Sequence, residues 1–119
     1  MNTFRDLIVW QKAHELVLQV YKVTGKFPDS EKFGLLSQMR RASFSVPANI
    51  VEGFKRRNNK EFKQFINIAS GSLEELRYYF LLSSDLKYID KTEYQSLFNL
   101  SDDVGKMLFS LHKKLNSVS

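Results

Sequence analysis

One stretch of this chain repeats side chains every three or four residues along two adjacent lines. Phe62, Ile66, Ala69, Leu73, Leu76 and Phe80 make the first line. Phe65, Ile68, Ser72, Glu75, Tyr79, Leu82 and Leu86 make the second. At about 3.6 residues per turn, the two lines cover more of a helix than one neighbour can bury. A helix of this kind needs partners on two sides, which a bundle supplies. The spacing predicts this helix over residues 60–87.

Three further stretches carry one apolar line each. Leu7, Trp10, Ala13, Leu16/Val17, Val20 and Val23 predict a helix over residues 6–24, ended by Gly25. Leu35, Met39, Ala42, Val46, Ile50 and Phe54 predict one over residues 31–53, with Ser30 as its N-cap. Pro47 lies inside that helix and cannot donate to the Ser43 carbonyl, so a kink or break is expected there. The fourth begins near Asp90, with Glu93 completing a capping box, and runs to the C-terminus through Tyr94, Leu97, Leu100, Val104, Leu108, Leu111 and Leu115. Residues 54–59 read as a connection, with Asn58 or Asn59 capping the helix that follows. Only two prolines and five glycines punctuate the chain, and no period-two alternation predicts a strand. Short connections favour antiparallel neighbours. The expectation is one all-α domain over residues 1–119, an antiparallel up-down-up-down four-helix bundle.

The chain has no cysteine, which excludes disulfides and thiolate chemistry and fits a reducing, cytoplasmic setting. Nothing at the start resembles a secretory signal. The apolar run Tyr78 to Leu82 is far below the roughly 20 residues that span a bilayer. The net charge of +5 is not spread evenly. Residues 31–60 hold seven basic side chains and two acidic ones, so the whole excess sits there and the remainder is balanced. Localised positive charge is the pattern of an anion-binding surface.

Catalytic signatures are missing. His14 and His112 are the only histidines, and neither has the glutamate three residues earlier that a di-iron bundle uses. There is no glycine-rich phosphate loop and no nucleophile elbow. The chain is expected to be no enzyme and to need no metal or cofactor. On the helix faces, Arg41, Asn49, Glu52, Ser72 and Glu75 interrupt the apolar pattern at helical spacing. A carboxylate placed there needs a cation, and Arg41 is a candidate partner for Glu75 or Glu52. These five residues are expected to form a structural polar network that fixes helix register. Arg40, Lys55, Arg56, Arg57, Lys60 and Lys63 are the candidate nucleic-acid-binding residues, gathered at one end of the bundle to meet phosphates.

Several motifs resemble a known family. They are Trp10-Gln11-Lys12-Ala13, Phe27-Pro28, Leu36 to Ala42, Ser45-Val46-Pro47-Ala48-Asn49-Ile50-Val51-Glu52-Gly53-Phe54, and Ala69 to Leu76. Together they resemble the bacterial four-helix-bundle proteins encoded in intervening sequences of 23S ribosomal RNA genes. The likeness is strong over residues 4–90 and looser in the last helix. It implies a barrel-like homopentamer, and a related branch, the accessory variability determinant of diversity-generating retroelements, binds nucleic acid. Arg41, Asn49, Glu52, Gly53, Ser72 and Glu75 match the family pattern. Two functions are then expected to compete. One is a homo-oligomeric nucleic-acid-binding or ribonucleoprotein accessory protein acting on RNA or DNA. The other is an adaptor whose basic rim recruits an acidic or enzyme partner.

Overall fold

The structure, a computed structural model, describes residues 2–117, without the side chain of Ser117. The expected apolar lines become four α-helices: α1 (Ile8–Thr24), α2 (Leu35–Phe54), α3 (Asn59–Asp85) and α4 (Lys91–Ser117). Among the described residues there is no strand. Each helix packs on its neighbour in the chain, and α1 also packs on α4, so the four close around one core. At about 1.5 Å per residue, the 27 residues of α3 account for most of the 46 Å long axis. No helix is long and apolar enough to cross a membrane.

The core is built from the residues that the periodicity selects. Leu16, Val20, Met39, Val46, Ile50, Ile66, Leu76, Phe80, Leu97, Val104 and Leu108 are buried. Burying a side chain of this kind contributes roughly 1.5–3 kcal/mol relative to leaving it exposed. Polar atoms in the core are matched. Thr24 Oγ1 donates to the Val20 carbonyl at 2.7 Å, and Ser101 Oγ to the Phe98 carbonyl at 2.7 Å. Among the described residues no buried side-chain nitrogen or oxygen lacks a partner.

Two helix ends and the interior of α2 differ from expectation. Residues 29–31 form a short 3-10 turn, and α2 starts at Leu35, not after Ser30. Glu31 takes the capping role from outside the helix: its Oε1 accepts from the Leu35 amide at 3.1 Å, and its Oε2 accepts from Tyr88 Oη at 2.9 Å. A side chain at Gly34 would meet Glu31 Oε1 at 2.9 Å, so the carboxylate would have to shift to admit one. At Pro47 the helix continues without a break. Val46 and Ile50 are fully buried on either side, and their packing offsets the lost hydrogen bond. α3 stops at Asp85, two residues early, because Lys87 adopts φ 64°. The Lys87 amide donates to Ser84 O (3.0 Å) and the Tyr88 amide to Ser83 O (2.9 Å), which is a Schellman ending with lysine in place of the usual glycine.

The caps elsewhere follow the sequence. Asn58 Oδ1 accepts from the Glu61 amide at 2.9 Å and starts α3. Asp90 and Glu93 exchange side-chain bonds with each other's amides at 2.7 and 3.0 Å, so the capping box is present. The first α3 line is core, with Ile66, Ala69, Leu73, Leu76 and Phe80 buried. The second line is not. Ile68 is 50% exposed and Leu86 45%, while Tyr79 and Leu82 pack half-buried against the core, so this line borders the α2–α3 seam and is only partly covered.

Candidate nucleic-acid interface

The turn between α2 and α3 is positioned by Gly53. A methyl group there would lie 2.7 Å from the Phe62 ring and 2.9 Å from Phe65 Cβ, so the end of α2 sits directly on the start of α3. Lys55 follows α2 as its C-cap, and Arg56, Arg57 and the Asn58 cap complete a turn too short to reach the far end of either helix. Lys55, Arg57 and Lys60 are exposed, and none has a carboxylate at ion-pairing distance among the described residues.

The other candidates are engaged or lie elsewhere. Arg56 Nη2 pairs with Glu52 Oε2 at 3.1 Å, and its guanidinium lies 4.6 Å from the Phe65 ring centroid. Both partners of that ion pair are largely exposed, so solvent screens it and the pair contributes little. Lys63 Nζ donates to Asn116 Oδ1 on α4. Arg40 does not belong to this end. It precedes Arg56 by sixteen residues of α2 and its extension, about 24 Å along the axis. There it is held by α1, with Nε donating to Thr24 Oγ1 at 2.9 Å and its guanidinium 4.3 Å from the Tyr21 ring centroid.

The structure adds one cation that the sequence did not place here. The Lys63–Asn116 bond, with Asn59 Nδ2 3.5 Å from the Leu115 carbonyl, sets the last turn of α4 beside the first turn of α3. Lys113 is therefore carried to the same end, exposed. These pairings across more than fifty residues reveal this, and no local pattern does.

The five polar-network residues separate in a similar way. Ser72 Oγ lies 2.8 Å from Ser45 Oγ, and Asn49 Nδ2 donates to Ser45 Oγ and to the Ser45 carbonyl at 3.0 and 2.7 Å. This small cluster, centred on Ser45, ties α2 to α3. Glu52 pairs with Arg56, and Glu75 accepts from Tyr79 Oη at 2.7 Å. That bond raises the Tyr79 phenol above its ordinary value. Arg41 makes no ion pair with Glu75 or Glu52 among the described residues, although it lines the same shallow groove as Glu75 and Ser72. The expected Arg41 partnership is absent because Glu75 bonds Tyr79 and Glu52 bonds Arg56, each four residues further along the chain, where the neighbour is closest.

Chemically, the end formed by residues 55–63 offers ammonium and guanidinium donors with one carboxylate, the exposed Glu61 in the first turn of α3, and no nucleophile–base pair. His14 lies elsewhere, stacked on Trp10 with ring centroids 5.1 Å apart. No group of three or more histidine and carboxylate side chains able to hold a metal occurs among the described residues.

Comparison with known proteins places these features. No curated protein matches the chain. A crystal structure of a protein with unknown function from the S23 ribosomal protein family of Bacteroides thetaiotaomicron VPI-5482 is similar, at 27% identity and a TM-score of 0.83. The likeness covers 89% of this chain and 96% of that one. Residues 5–110 match the family of 23S rRNA-intervening sequence proteins. That match takes in all of α1–α3 and most of α4, and the chain belongs to the 23S rRNA-intervening sequence protein family.

Proposed function

We propose that this protein is a non-catalytic nucleic-acid-binding component of a ribonucleoprotein, contacting phosphate backbones through the end of the bundle that carries Lys55, Arg57, Lys60 and Lys113. The observation that carries this reading is the grouping of these exposed cations without carboxylate partners. Phosphates recruit such groups by releasing condensed counterions, so affinity comes without sequence readout. RNA is favoured over DNA by the ribosomal-protein family named for the structural neighbour.

The bundle topology in this proposal is up-down-up-down. Lys63, near the start of α3, bonds Asn116 near the end of α4, and Lys26, just after α1, pairs with Glu93 at the start of α4. Copies of the chain assemble in the proposal into a homopentamer, as the resemblance implies. The exposed α3 side chains Ile68, Tyr78 and Leu81, 47–56% accessible, supply apolar surface that such an assembly can use. Assembly would repeat the basic end around a rim, where the fields add. A cytoplasmic location fits the absence of cysteine.

Titration of the purified protein with a 23S ribosomal RNA fragment and with generic duplex DNA, at two ionic strengths, tests the reading. Binding that weakens steeply with salt supports it, and no binding to either at low salt overturns it. Light scattering gives the subunit count. A monomer at micromolar concentration removes the rim from the proposal.

A further inference from the structure

The opposite end of α2 holds a second cationic surface of different chemistry. Residues from α1, the 29–34 segment and α2 enclose a depression of about 580 Å³, within the range of small-ligand sites. Its walls include Tyr21, Phe33 and Phe44, which are 40%, 90% and 45% exposed, together with Lys32, Arg40 and Arg41. None of these three cations pairs with a carboxylate among the described residues, and Asp29 is the one acidic residue in the lining. Aromatic faces and unpaired cations share one cavity.

Two parts of this surface are fixed before any ligand arrives. The Arg40 guanidinium lies over Tyr21 at 4.3 Å and is held by Nε–H to Thr24 Oγ1 at 2.9 Å and Nη2–H to the Tyr21 carbonyl at 3.4 Å. Its plane cannot swing away without breaking those bonds. Phe33 stands on a segment clamped by Glu31, whose carboxylate binds both Tyr88 Oη and the Leu35 amide. A phenyl ring 90% exposed gains almost nothing from folding, and here it is presented on an anchored support. Lys32 Nζ lies over the Phe33 ring, 5.6 Å from its centroid, which places positive charge on the same platform.

We propose that this pocket binds one unpaired nucleotide, its base stacked on Phe33 and its phosphate met by Lys32 and Arg41. Bases stack on aromatic rings and on arginine planes alike, and a duplex cannot offer an unstacked base. The pocket thus differs from the 55–63 end, where the exposed cations Lys55, Arg57 and Lys60 stand without an exposed aromatic ring as prominent as Phe33. The ligand's source is either a free nucleotide or an exposed base within a single strand.

The test uses three probes with the full-length protein: adenosine 5′-monophosphate, a fluorescein-labelled single-stranded ten-mer of adenylate RNA, and a fully paired RNA duplex of equal length. Phe33→Ala removes an exposed ring and leaves the core untouched, so the variant folds. It is expected to weaken the single strand roughly 5- to 100-fold and the duplex hardly at all. Phe33→Trp is expected to restore single-strand affinity. Upfield shifts of the Phe33 ring protons with the monophosphate identify a free-nucleotide site. Shifts with the ten-mer alone identify an unpaired base in a strand. Single-strand affinity of Phe33→Ala within twofold of the parent overturns the pocket, as does the absence of Phe33 shifts with both ligands. A Lys55→Ala/Arg57→Ala/Lys60→Ala variant separates the two ends, because the phosphate-binding reading requires it to weaken duplex and single strand together. Single-strand binding that depends on Phe33 without any duplex binding leaves the pocket standing and removes the other end.

Discussion

Gly53 and Gly71 both lie inside helices, and one added methyl group should move stability in opposite directions at the two sites. Glycine costs a helix interior about 1 kcal/mol relative to alanine. At Gly71 the new Cβ meets nothing within 4 Å, so Gly71→Ala should gain that whole amount. For 119 residues, unfolding entropy near 2.1 cal/mol/K per residue makes 1 kcal/mol equivalent to about 4 °C. At Gly53 the new Cβ would lie 2.7 Å from the Phe62 ring and 2.9 Å from Phe65 Cβ. The ring can turn, but Phe65 Cβ is fixed to the α3 backbone, so the two helices must part. Overpacking of this kind costs roughly 1–3 kcal/mol. Gly53 is next to the last residue of α2, where the propensity gain is small. The net loss should be about 1–2 kcal/mol, and the two variants should melt about 8–12 °C apart. Thermal melts and urea titrations followed by helical circular dichroism measure this. Equal stabilisation of both variants would refute the close α2–α3 approach, and with it the placement of Lys55 and Arg57.

Other residues give sharper local tests. Lys87→Gly should raise the melting temperature by about 2–5 °C, since a non-glycine residue at positive φ costs roughly 1–2 kcal/mol, partly offset by glycine's greater unfolded-state entropy. The Tyr79 phenol is held above 10.0, first by its bond to Glu75. The neutral phenol is the form favoured by folding, so that contribution is complete below about pH 10 and is lost as pH rises through the raised value. In a phenolate absorbance titration, Glu75→Ala should move the Tyr79 component downward. Asp6 is held below 3.8 because its carboxylate accepts the amides of Thr3 and Asn2. Its support of the first turn should persist above pH 3.8 and fade as pH falls through the lowered value, visible in the amide resonance of Thr3.

The four helices are legible in the sequence because each core line recurs at the helical period and is the set that folding buries, Met39-Val46-Ile50 on α2 being the plainest case. Asn58 and the Asp90/Glu93 box are legible for a similar reason, since a cap is read from neighbours three residues apart. The start of α2 is not, because Glu31 caps it across a 3-10 turn while also bonding Tyr88, 57 residues away. The end of α3 at Asp85 depends on a lysine in a conformation that sequence patterns assign to glycine. At the candidate site, the local run Lys55 to Lys60 is visible directly. The removal of Arg40 to the other end follows from the axial length of α2. The arrival of Lys113 and the pairing of Arg56 depend on tertiary packing and rotamer choice, which charge counting does not contain.

The most direct test of the phosphate-binding account is the salt dependence of affinity for duplex RNA, compared between the parent and the Lys55→Ala/Arg57→Ala/Lys60→Ala variant. Each phosphate contact contributes about 0.7–0.9 to the slope of log affinity against log salt. If these three side chains meet phosphates, the variant's slope should be shallower by about 2–3 and its affinity lower at every salt concentration. An unchanged slope would contradict the account, whatever the affinity.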